Sequence, residues 1–166
     1  METSINNNGS NSIFNRILLT GFIAGTLDAA AAIISFYVAT GKSPVLIFIY
    51  IASAVFGKAA YSATQLIAIV GLLFHYLTAI IFSAFYFFIF PKLKFLHLNK
   101  IVAAIIYGIF VWLVMNLMVL PLSKVPPLHF HLANVLLAVG ILIVCIGMPV
   151  SFIAFSFYKN QNTIKK

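Results

Sequence analysis

A chain of 166 residues that is 63% hydrophobic and only 7% charged, with a mean hydropathy of +1.13, is excluded from the water-soluble globules, because those carry about 25% charged residues. Its apolar surface has to be covered by lipid, which makes the bilayer its predicted partner. The formal net charge of +8 comes from cations scattered between apolar runs; without a clustered patch or a recognition motif, it argues for topology signals and against nucleic acid.

Residues 1–15 are polar and rich in Asn and Ser, the composition of a disordered tail. A single four-helix transmembrane domain over 16–158 follows. Its first span, 17–39, is long and apolar enough to cross the hydrocarbon core as a helix. Arg16 and the alanines near position 30 resemble a signal peptide, but the apolar run continues past them, which argues for a retained helix. Asp28, one of only two acidic residues, stands near the middle of this span. A carboxylate at that depth is costly in lipid and has to face protein or water. Gly21 and Gly25 form a GxxxG, and Asp28 lies three residues further on, nearly on the same side. One face thus combines close packing with a polar group.

Thr40-Gly41 reads as a helix stop and Pro44 as a new first turn. The short helix predicted over 44–57 cannot cross a bilayer, so it is read as interfacial or re-entrant. The second span, 62–90, carries Gln65 near its start and His75 near its middle. Its aromatic end, Phe85 to Phe90, resembles an interfacial belt before Pro91 terminates it. The third span, 101–120, contains the small pair Ala104 and Gly108 and the polar Asn116, and Pro121 closes it. The fourth, 132–158, contains Gly140 and Gly147 and is predicted to kink near Pro149. Residues 159–166 form a basic tail. The fold class is therefore an all-α membrane protein with four transmembrane helices and one short extra helix.

Four spans put both termini and the second loop on one face. That face holds Arg16, Lys92, Lys94, Lys100, Lys159, Lys165 and Lys166, against Lys42, Lys58 and Lys124 on the other. The excess of cations predicts cytoplasmic termini.

Phe90-Pro91-Lys92-Leu93-Lys94, the spacing to the next span, Leu120-Pro121-Leu122 and Pro126-Pro127 together resemble the YagU-like family of bacterial inner-membrane proteins. The resemblance covers roughly residues 82–127, and this chain has Asn116 where family members can carry a histidine. It implies a small polytopic inner-membrane protein and supplies no catalytic residues.

Asp28 and His75 fall at similar depth if the first two spans run antiparallel. A carboxylate stabilises a nearby imidazolium and either group exchanges protons, so the pair with Asn116 forms the candidate ligand or proton site. The bland alternative is a hydrogen bond between Asp28 and His75 across a helix interface. The small residues Gly21, Gly25, Ala104 and Gly108 are the candidate packing positions, either inside one chain or in a homo-oligomer. His75 as a haem ligand would need a partner imidazole; His97, His129 and His131 all fall in predicted loops, leaving a symmetric dimer as the route. The His129-Phe130-His131 pair could contribute to metal binding but has no Cys or carboxylate close in sequence, so it reads as solvated loop histidines; no nucleophile motif or carboxylate pair is present, and the lone Cys145 reads as a packed hydrophobe. The leading reading is a non-enzymatic membrane protein without a cofactor. A small transporter or channel using Asp28 and His75 is the alternative, and a haem protein the third.

Overall fold

The computed structural model describes residues 4–63, 66–93, 96, 99–124 and 132–164. Among these the chain is helical almost throughout and contains no strand. Four helices are long and apolar enough to cross a membrane: Ile13–Thr40, Leu66–Lys92, Lys100–Leu122 and Leu132–Lys159. This is a multi-pass membrane protein, with a short apolar helix after the first span.

Helix α1, Ser4–Thr40, continues back through much of the polar segment that its composition reads as disordered. It stops where Gly41 takes φ +64° and donates its N–H to the Tyr37 carbonyl at 2.8 Å, a conformation cheap only for glycine. Pro44 precedes α2, Val45–Phe56, and Gly57 at φ +62° ends it the same way, bonding Ser53 O at 2.8 Å. A single turn, α3 (Ala59–Ser62), separates this from α4, Leu66–Ile89. The second span therefore starts at Leu66 rather than at residue 62, because Ala63 is extended. Pro91 tightens its end into a 3-10 turn, Phe90–Lys92.

Asn99 caps α5, Lys100–Val114, accepting from the Ile101 and Val102 N–H groups at 2.8 and 3.4 Å. Two prolines then shape the remaining spans in one manner. Pro121 has no N–H for the carbonyl four residues earlier, and the wide π turn Met115–Val119 lies just upstream of it. The third span accordingly runs on to Leu122 instead of closing at residue 120. In the fourth span α6, Leu132–Leu142, passes through a second wide turn, Ile143–Gly147, into α7, Met148–Ile164. The irregularity predicted at Pro149 is this turn, in which the Met148 N–H reaches back to Ile143 O.

Helix α1 packs against α4 and against the fourth span; α5 packs along the wide turn Ile143–Gly147 and α7; α2 packs against α4. Glycines set the closest crossings. A Cβ at Gly108 would lie 2.6 Å from Ile143 Cα, and one at Gly147 would lie 2.2 Å from Ala104 O. The Ala104–Gly108 pair is thus spent against the fourth span. The aromatic end of α4 divides by face. Tyr86, Phe87 and Phe90 are buried, whereas Phe85 and Phe88 look outward. The buried rings are tied to α7: Tyr158 donates to Phe87 O at 2.7 Å, Tyr86 donates to Ser151 Oγ at 3.0 Å, and Phe90 stacks on Tyr158 with centroids 5.2 Å apart. Three of the five aromatic residues of the expected belt are core.

Gly140 is the exception among the helical glycines whose surroundings are described, since a Cβ there meets nothing within 4 Å. Gly140→Ala is expected to stabilise the protein by about 0.5–1 kcal/mol through helix propensity alone. A thermal midpoint in nanodiscs below that of the wild type would contradict this.

Candidate functional site

The glycines of α1 determine how near α4 comes. A Cβ at Gly21 would lie 2.7 Å from Ile80 Cα, and one at Gly25 would lie 3.0 Å from Tyr76 Cδ1 and 3.1 Å from Ala79 Cβ. At that separation the His75 Nε2 reaches the Gly25 carbonyl of α1, at 2.8 Å. A carbonyl only accepts, so Nε2 carries the proton and Nδ1 of a neutral ring is left as the basic nitrogen. Tyr76 holds the register beside it, stacked on Phe22 at 5.2 Å and bonded to Thr26 Oγ1 at 3.0 Å.

Asp28 stands one turn beyond Gly25, and His75 lines the same space. The two share a cavity of about 110 Å³ with the Thr78 side chain, and the rest of its wall is apolar: Ile51, Ala79, Phe82, Val111, Met115, Leu142 and Ile146. Every spanning helix contributes to its wall, and Asp28 is half-buried there. Among the described residues the Asp28 carboxylate accepts no hydrogen bond, and the direct Asp28–His75 hydrogen bond weighed from the sequence is replaced by the one from His75 to Gly25.

The other candidates separate from this pair. Asn116 donates its Nδ2 to Trp112 O of its own helix at 2.9 Å and does not line the cavity; its neighbour Met115 does. Gln65, His97, His129 and His131 lie outside the described residues, and His75 is the one histidine within them. No group of three or more His, Cys, Asp or Glu side chains gathers among the described residues.

Cys145, read as a packed hydrophobe, is half-buried in the wide turn and does not line the cavity. Ile51, which sequence reasoning missed, brings the short helix α2 to the wall shared by Asp28 and His75. Ile146 of the wide turn lines it too, and Pro149 was the only advance signal of that turn.

Comparison of the chain with family models, with curated proteins and with solved structures finds no match. The site is therefore interpreted from its own chemistry. Asp28 and His75 line one partly open cavity whose wall, apart from Thr78, is otherwise apolar. Such a pair can bind, hold and hand on a proton.

Proposed function

We propose that this chain is a small multi-pass membrane protein that binds and passes protons at Asp28 and His75. The observation that carries the reading is the shared cavity, in which these two groups and Thr78 are the polar members of an apolar wall. A purely structural pair would be expected to bond directly and exclude space between its members; here the imidazole bonds a backbone carbonyl and the carboxylate stays open to the cavity. Intramembrane charges that are not consumed by partners mark proton and ion pathways.

The seven-to-three distribution of cations supports cytoplasmic termini. The resemblance to YagU-like proteins supports residence in a bacterial inner membrane. The glycine pairs are spent on contacts within one chain, which supports internal packing over a homo-oligomer built through those faces.

The test is dissipation of an imposed pH gradient in proteoliposomes, read with an entrapped pH-sensitive dye. Wild-type protein is expected to collapse the gradient faster than empty liposomes. His75→Gln, which keeps a donor for Gly25 O but does not titrate, is expected to slow it by about tenfold or more. Wild-type rates equal to those of empty liposomes would remove the reading.

A further inference from the structure

A second cavity, of about 300 Å³, lies between α2, α4 and the end of the third span. Three residues, Ile51, Thr78 and Met115, line both it and the Asp28–His75 cavity. The two spaces are therefore neighbours with a common wall of two apolar side chains and one hydroxyl.

The second cavity runs the right way to be an entrance. Its wall extends from Met115 to Ser123, about 12 Å of helix rise, and so from the depth of the proton site to the end of the third span. That end is also where α2 finishes: the Lys124 N–H bonds Ala54 O at 3.0 Å, and Gly57 lies beside the Lys124 side chain. None of the residues lining it is charged. Hydroxyls are present at Tyr50, Thr78 and Ser123, and the Tyr50 hydroxyl is buried with no hydrogen-bond partner among the described residues.

We infer that water reaches Asp28 from the face opposite the chain termini, through this vestibule, past a gate formed by Ile51 and Met115. The inference rests on the reading of Asp28 and His75 as a proton site for its purpose, but not for its test. Apolar constrictions close by shedding water, and a swing of one side chain is enough to wet them. Methionine suits that task, being unbranched with three rotatable bonds. Met115 also opens the wide turn Met115–Val119, where the helical ladder is already interrupted. The lining carries hydroxyls for water and no carboxylate to attract a metal cation.

The experiment measures thiol labelling by a membrane-impermeant methanethiosulfonate in oriented vesicles, on a Cys145→Ser background. Ala54→Cys, in the vestibule, is expected to label readily from the face opposite the termini. Thr78→Cys, at the gate, is expected to label slowly from that face. Met115→Ala is expected to accelerate labelling of Thr78→Cys roughly tenfold while leaving Ala54→Cys unchanged; Ile51→Ala provides the same measurement should the first gate variant not fold. Labelling of Thr78→Cys only from the face of the termini, or a rate that neither gate variant changes, overturns the inference. Labelling does not depend on flux. Gate-sensitive labelling in a protein that conducts no protons would therefore sustain the water path and defeat only the proton reading, whereas proton flux with gate-insensitive labelling would do the reverse.

Discussion

Gly71→Ala is expected to separate α2 from α4 and to lower the thermal midpoint by roughly 10 °C, or to leave no monodisperse protein at all. A Cβ at Gly71 would fall 1.8 Å from the Phe48 carbonyl oxygen and 2.6 Å from its carbon. Both atoms belong to the backbone of a helix and cannot swing aside as a side-chain tip can. Ordinary overpacking by a methylene costs about 1–3 kcal/mol, and a clash between two main chains lies beyond that range. Relief has to come from movement of α2 as a whole, which would break the Phe56–Phe74 stack and withdraw Ile51 from the wall of the Asp28 cavity. Size exclusion in detergent and a melting curve in nanodiscs check this. A midpoint within about 2 °C of wild type would mean that α2 does not approach α4 as described. Gly140→Ala serves as the matched control, a glycine of the same bundle with open space around it.

Asp28→Asn is expected to reduce proton flux by roughly a hundredfold, the scale of losing a positioned proton acceptor, without lowering the melting temperature. The two readouts together separate function from structure. The carboxylate accepts no hydrogen bond among the described residues, so a neutral amide of the same shape forfeits none. Removing a partly buried charge also lifts its desolvation cost, which favours an unchanged or higher midpoint. A structural role predicts the opposite: a lower midpoint with any flux lost in proportion to the folded fraction. Flux retained by a well-folded Asp28→Asn protein would exclude Asp28 as the proton site.

These two residues differ in how far they can be understood from sequence. Asp28 declares itself, because a charge inside a long apolar run has few tolerable environments. Gly71 does not: it is a single small residue in a span whose neighbours give no periodic signal, and its importance depends on Phe48 crossing at that point. Pro91, Pro121 and Pro149 show an intermediate case. Each announces a local irregularity, since a missing N–H has to be accommodated nearby. Whether the result is a tight 3-10 end, as at Phe90–Lys92, or a wide turn, as at Met115–Val119 and Ile143–Gly147, is settled by packing.

Hydrophobic run lengths, the glycine and proline stops, and the isolated carboxylate were sufficient to establish four spans, the short helix between the first two, and Asp28 with His75 as the polar pair worth attention. These are properties of a segment and of its solvent, so one sequence contains them. Tertiary structure alone decided that His75 bonds Gly25 O, that Asn116 turns back onto its own helix, that Ile51 lines the Asp28 cavity, and that a second cavity adjoins it. Those facts depend on how helices rotate and cross. In a chain apolar on nearly every face, the hydrophobic pattern carries no preferred side, and the small residues and backbone contacts between helices choose it instead.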